Sequence, residues 1–404
     1  IIGKYIASSP ASQIGDFELY GAHMFRSDLG GMVNNPDTTS SYVPTTTAAV
    51  YAPRRGHHVY NGSAWVNEGL LHESEARTNL VIDSGDLTVA SWSGNISRSA
   101  VTSGSPFGTY QTISPSSTTS NLGPAQRFQT GKTLTTGSTY VSWALVKYSA
   151  GSGWFDIRPY DLVNTQIRAY FDLQNGVVGS KDTPIIDRGM IDYGDGWWLC
   201  WASSDAAYTS GGFIVEMPNA DGVVSCSAAD VILIAGSQQE LGSTPSSYIP
   251  TVVATTRAAE TLTVPAANLP YNSTNMSIQM DGKMTGDTLT PVRWLLDANN
   301  SILLETGTNN FSFTQEAVGT VDTVTGGSFT SGTNVSFNLA TRNGSTLING
   351  AISGTALTAN TTPTALPNLS STDLNLGQTF MGTIGQYRMW DEDITDAGIT
   401  EAST

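Results

Sequence analysis

Four histidines, His23, His57, His58 and His72, stand in the first fifth of the chain, with no Gly-x-Ser-x-Gly elbow beside them. A nucleophile needs a positioned base within hydrogen-bond reach, so a Ser-His-Asp enzyme lacks its parts. The adjacent pair His57-His58 has no cysteine or spaced acidic partner to complete a metal site. Asp192, Asp195, Asp205, Glu216 and Asp221 cluster in sequence, and glycoside cleavage needs two carboxyls facing a cleft roughly 5–9 Å apart. A chain of net charge −16 produces such clusters without any catalytic purpose. Asp297, Asn299 and Asn300 offer oxygens that suit calcium and equally suit a plain turn. Cys200 and Cys226 lack zinc spacing and sit in apolar runs, where two buried thiols are expected and a disulfide stays open. No catalytic residue, metal or cofactor is expected.

One chemistry has its parts. Sugar binding needs aromatic faces beside hydrogen-bonding side chains, because a ring offers an apolar surface of defined geometry. Trp197, Trp198 and Trp201 share one short segment. In a strand, Trp197 and Trp201 fall on one face and Trp198 and Cys200 on the other, so about half of the cluster must pack a core. Trp154, Trp198 and Tyr208 are the candidates for exposure, with Asp195 and Asp205 as the acceptors near them in sequence.

The elements that would position them are strands. The chain has 404 residues, enough for two domains, of which 39% are hydrophobic and only 13% charged, about half the usual charged share. Nine Trp, 15 Tyr and 12 Phe exclude disorder as the main state, and the scarcity of Lys and Arg excludes helix bundles and coiled coils. The acidic balance opposes nucleic-acid backbones and anionic lipid. No run of about 18 apolar residues could span a membrane. Ile1-Ile2-Gly3-Lys4 has neither an initiator Met nor a signal-peptide pattern, so the numbered chain is expected to start after processing or to lack preceding residues.

Short alternating runs broken by Gly, Asn, Asp, Ser and Pro recur, as at residues 139–148, 166–173, 197–202, 212–217 and 230–236. A second series begins at Met276 and ends with residues 382–390, with a hairpin expected across Asn343-Gly344 and a short terminal helix capped by Thr395. Such spacing without helical periodicity reads as sandwiches. Residues 243–275, rich in Pro, Thr, Ser and Asn, are the linker candidate. Ser246-Ser247-Tyr248-Ile249-Pro250-Thr251 is echoed by Ser40-Ser41-Tyr42-Val43-Pro44-Thr45, which reads as two equivalent junctions or as one extended segment used twice.

Three ordered motifs carry a family resemblance. Residues 68–80, Glu-Gly-Leu-Leu-His-Glu-Ser-Glu-Ala-Arg-Thr-Asn-Leu, resemble the "GLLxEExRTNLL" motif of phage structural proteins. Gly194-Asp195-Gly196-Trp197-Trp198 resembles their "GNGWYR" strand. Residues 238–251 resemble their "QxExGxxxTSYIPT" close, and Thr256-Arg257-Ala258-Ala259 the "TRAAD" that follows. The end, from Phe380 to Trp390 and then Asp393-Ile394-Thr395-Asp396, is similar to concanavalin A-like, laminin-G-type sandwiches, with Ile394 in place of Leu and Gly398 inside the short helix.

The resemblance implies an all-β protein: an N-terminal attachment segment at 1–67, a jelly-roll-like sandwich at 68–250, a linker at 251–275 and a concanavalin A-like sandwich at 276–404. It implies a non-enzymatic virion-surface protein of a tailed phage, a tail fibre or spike that recognises host-surface glycans. The alternatives are a capsid-decorating or head-fibre protein with a structural role and, less favoured, a polysaccharide depolymerase. Expected partners are other virion subunits, bound through an N-terminal segment whose Phe17, Leu19, Tyr20, Met24 and Phe25 need a partner surface, a host glycan, and further copies in a homotrimer. No nucleic acid and no membrane insertion are expected.

Overall fold

The computed structural model describes residues 17–20, 54–116, 125–161, 167–260, 262–285, 290–307, 309–330, 335–377 and 379–404. They form an all-β protein of antiparallel sheets packed as two sandwiches. Thr395–Ala402 is the only α-helix among the described residues. No helix of the described residues is long and apolar enough to cross a membrane.

In the first sandwich one sheet runs Ile185–Asp192, Trp197–Asp205, Thr139–Ala150, Val231–Leu241, Gly108–Pro115, Ile96–Arg98, with Thr102–Ser105 paired to Gly108–Pro115. The facing sheet runs Val177–Lys181, Ala169–Asp172, Trp154–Asp161, Ser210–Glu216, Gln126–Thr133, Ser93–Gly94. The period-2 alternation of strands sends Ala144, Val146, Cys200, Ala202, Phe155, Ile157, Phe213 and Val215 between the sheets. The other face of the first sheet is also covered. Val141, Trp143, Leu145, Trp197 and Leu199 pack there under Tyr248 and Phe107. Thr139–Ala150 is therefore buried over an unbroken run, the pattern of a strand with cover on both sides. Cys200 and Cys226 are free and buried, and burial pushes both thiols up.

The second sandwich packs Met276, Ile278 and Met280 against Trp294, Ile302, Leu304 and Phe313. Trp294 is fully buried, with its ring nitrogen donating to the Thr372 carbonyl at 2.8 Å. The Asn343-Gly344 hairpin has a different register from the expected two-residue turn. Asn343 pairs with Ile348, so Gly344 ends its strand and the turn falls at residues 345–347. Asp297 closes a plain turn, taking Asn299 N at 2.8 Å and Asn300 Nδ2 at 3.0 Å. Thr395 is not the helix cap. It is the first helical residue, at φ +69°, and Asp393 Oδ1 accepts its N–H at 2.8 Å.

The order of the chain through the two sandwiches departs from the composition-based boundaries. Arg54–Tyr60 and Trp65–Glu73 belong to the second sandwich, where Trp65–Glu73 pairs with Met381–Trp390. Phe17–Tyr20 pairs with the same strand, while Met24, Phe25 and the 40–45 echo lie outside the described residues. The segment expected as a linker at 251–275 is ordered too: Thr255–Arg257 pairs with Arg77–Asn79, and Leu262–Val264 joins the sheet of Leu374–Leu376. The first sandwich is thus inserted into the second. A boundary at 67 cuts one strand in two, because long-range pairing overrides local composition.

The family-like motifs meet at the insertion point. Glu73 accepts Ser247 N at 2.8 Å and Ser247 Oγ at 2.6 Å and pairs with Arg257, which is fully buried. Glu73 N donates to Glu260 Oε2 at 2.7 Å, and Arg257 Nη2 donates to the Glu75 carbonyl at 3.0 Å. Beside them Asn79 Nδ2 donates to the carbonyls of Ser237 (3.1 Å) and Ile249 (2.9 Å), Gln238 accepts Ile249 N at 2.8 Å, and Glu240 accepts Ser246 N at 2.8 Å. Gly242, at φ +138°, leaves room for the Arg77 guanidinium, which a Cβ there would overlap. A buried charge without its partner is costly, so removing Arg257 alone should destabilise the chain by about 3–5 kcal/mol. We expect Arg257→Met to lower the denaturation midpoint sharply and Glu73→Gln combined with Arg257→Met to recover part of the loss. Equal midpoints for the single and double variants would show that the pair is not coupled.

Candidate functional site

The hairpin formed by Ala169–Asp172 and Val177–Lys181 gathers two of the expected aromatic residues. Both positions that receive a ring are glycines. A Cβ on Gly179 would lie 2.7 Å from Trp154 Cζ3, and one on Gly176 would lie 2.5 Å from Trp198 Cζ2. Each ring therefore lies on backbone that any side chain would displace, a fit that glycine alone permits. Trp154 comes from the outer face of its sheet and Trp198 from the inner rim of the opposite sheet, where it also packs on the core. Both are half-buried.

Polar groups surround the rings. Asp172 is the cross-strand partner of Trp154 and accepts the N–H groups of Gln174 and Asn175 at 3.1 Å, with Asn175 Nδ2 at 2.8 Å. Asp221 Oδ1 accepts Ser180 N and Ser180 Oγ, both at 2.8 Å, and stands over Gly179 beside the Trp154 ring. Asp221 is exposed. Lys181 donates to the carbonyls of Ile185 (2.6 Å) and Ile186 (2.8 Å), and Arg188 Nε to that of Gly179 (3.0 Å). These cations close the gap between two edge strands, which would otherwise present unpaired backbone. The two rings meet the hairpin from opposite faces, so the outer one, Trp154 with Asp172, Asp221 and Ser180 around it, is the group that can stack on one apolar face of a ligand and accept hydroxyl protons from its rim.

The other candidates lie elsewhere. Asp195 is near this end of the sandwich, at φ +49°, with a side chain 88% exposed and paired to Lys147 at 2.9 Å. Asp205 and Tyr208 stand at the far end of Trp197–Asp205, about 23 Å along the strand from Trp198. Asp205 accepts Thr139 Oγ1 at 2.6 Å, and Tyr208 is 44% exposed in the loop beyond. The five residues therefore do not line one surface. Sequence reasoning missed Gly176, Gly179 and Ser180 and named Asp221 only within an acidic cluster, because their meeting with the tryptophans is set by packing between strands. It also missed a third ring of the same kind, Trp201 over its cross-strand partner Gly189, 2.7 Å from a Cβ there. That pair was legible: counting outward from a turn centred on Asp195, between Gly194 and Gly196, places residue 189 opposite 201.

Two rows from Trp154 on the same face lies a buried charged cluster. Asp156 and Glu216 are cross-strand partners, 0% and 1% exposed. Arg158 Nη1 reaches Glu216 at 2.8 Å and Arg168 Nε at 3.0 Å, while Arg168 stands 3.9 Å from Asp156. Neither oxygen of Asp156 meets a donor among the described residues. Burial, and next the Glu216 charge, hold the Asp156 carboxyl well above its ordinary range. Among the described residues no group of three His, Cys, Asp or Glu could hold a metal.

No protein-family model matches the chain, and no curated protein matches it. Solved structures do. A carbohydrate-binding module of a Ruminococcus gnavus sialidase, bound to α2,3-sialyllactose, is 13% identical over 33% of this chain and 83% of its own, with a TM-score of 0.27. Mouse laminin alpha1 domains LG4-5 are 11% identical over 63% and 83%, with a TM-score of 0.25. A tail fiber protein from an E. coli phage is 10% identical over 82% and 45%, with a TM-score of 0.20. The chain also matches NanB, of which it spans about a quarter, 26% of that chain.

A carboxyl whose folded pKa is raised stabilises the fold fully below its unfolded pKa and loses that contribution as pH rises toward the folded value. Asp156→Asn keeps a neutral side chain beside Glu216 and removes the titration. We expect the variant to be at least as stable as the parent at pH 7, with the difference shrinking as pH falls toward 4. Thermal melts across that range check it, and a variant less stable at pH 7 than at pH 4 relative to the parent would contradict the assignment.

Proposed function

We propose that the chain is a non-enzymatic glycan-binding protein of a virion surface, a fibre or spike of a tailed phage, and that Trp154 on the outer face of the 169–181 hairpin is its sugar platform. The observation that carries the reading is the placement of this half-buried indole on Gly179, beside Asp172 and Asp221. The phage setting rests on the three ordered motifs at 68–80, 194–198 and 238–259. Attachment to neighbouring subunits is assigned to the part of the chain ahead of Arg54, and trimeric copies would give avidity to a weak single site.

A second reading, a capsid-decorating protein with a mainly structural role, is favoured by one fact. Residues of two of the three motifs, Glu73 from 68–80 with Ser247 and Arg257 from 238–259, are engaged in holding the two sandwiches together rather than facing solvent. A depolymerase finds less support. Asp156 and Glu216 are adjacent carboxyls, but both are buried against arginines, without the open gap that glycoside cleavage requires.

A stacked ring contributes about 1 kcal/mol, close to a fivefold change in affinity. On a glycan array, Trp154→Ala should weaken binding by about that factor with the fold intact by circular dichroism. Trp198→Phe, on the inner side of the hairpin, and Tyr208→Ala, at the opposite end, should leave it unchanged. Binding that survives Trp154→Ala would remove this site, and capture of the chain by phage heads without any glycan affinity would favour the decorating role.

A further inference from the structure

Resting on that glycan reading, we infer that the hairpin platform selects neutral sugars and rejects glycans carrying sialic or uronic acid. The charges around Trp154 decide it. The acceptors beside the rings are carboxylates: Asp221 at the ring edge, with Asp172 opposite Trp154 in the pairing register. Asp221 Oδ1 takes both Ser180 donors, and its Oδ2 takes none among the described residues, so it is directed at hydroxyl donors. An O–H donating to an ionised carboxylate makes a short, strong bond, which a neutral hexose supplies around its ring while its C–H face meets an indole.

A ligand carboxylate would need a cation, and the nearby cations already serve protein acceptors. Lys181 holds the Ile185 and Ile186 carbonyls, Arg188 the Gly179 carbonyl, and Lys147 the Asp195 carboxylate. Arg158 and Arg168 are buried on Glu216. Releasing Lys181 or Arg188 would uncover backbone acceptors at the sheet edge, and releasing Arg158 or Arg168 would leave a buried charge alone, while Lys147 is already neutralised by the exposed Asp195 carboxylate. Repulsion from one carboxylate at about 6 Å in water costs a factor of roughly three, and two such neighbours cost about tenfold together.

The test titrates the full chain with lactose and with α2,3-sialyllactose, which share the lactose unit and differ by one acidic residue, and with chitotriose and a polygalacturonate fragment as a second pair. Neutral members should bind at least tenfold tighter than acidic ones, and the gap should narrow in 1 M NaCl as charges are screened. Asp221→Asn should narrow it at low salt. Sialyllactose binding as tightly as lactose, and lost in Trp154→Ala, would overturn the selectivity while leaving the platform in place. No binding by either pair would overturn the platform and the selectivity together.

Discussion

The fold depends on one buried ion pair. Glu73 ends the strand by which the chain leaves the second sandwich, and Arg257 lies on the strand by which it returns. Between them the whole first sandwich is built. With Ser247 held by the same carboxylate, one side chain fixes the exit, the return and the closing segment of the inserted body. Two charges taken out of water cost less the more of their groups are satisfied, and Ser247, Glu260 and the Glu75 carbonyl take up most of them, with Arg257 Nε the exception among the described residues. The cost of an incomplete set makes the arrangement specific rather than merely adhesive.

The consequences reach the sheet that carries Trp198. Tyr248, set two residues after Ser246, stacks on Phe107 at 4.7 Å and covers Trp143, which closes the outer face of the central sheet. Tyr193 meets Phe107 on one side and Trp65 of the second sandwich on the other. That sheet is thus braced from behind.

Strands were legible where alternation is local. Met276 to Gly282 and Thr139 to Tyr148 form strands as their patterns require. The motifs were legible as motifs, yet their geometry was not, because Glu73 and Arg257 are separated by 184 positions and no local signal joins them. Trp154 and Trp198 were identifiable as aromatic resources, but their surroundings depended on glycines of one hairpin, which lies in Trp154's own sheet and opposite the sheet of Trp198. Asp205 and Tyr208 looked close because they follow the tryptophans in sequence, whereas a strand of nine residues carries them to the other end of the body. Strand boundaries near residue 67 were lost to composition, which carries no record of which sheet a strand will join.

Insertion of one sandwich into the other has a mechanical corollary. Asn79 and Thr255, where the chain enters and leaves the first sandwich, are direct partners in a short antiparallel ladder. Tension transmitted along the backbone would cross that ladder and the ion pair beside it instead of running through the intervening sheets. The inserted body would hang to one side of the load path, sheltered from drag on the parts that anchor it, and its ligand-facing hairpin would keep its shape under pull.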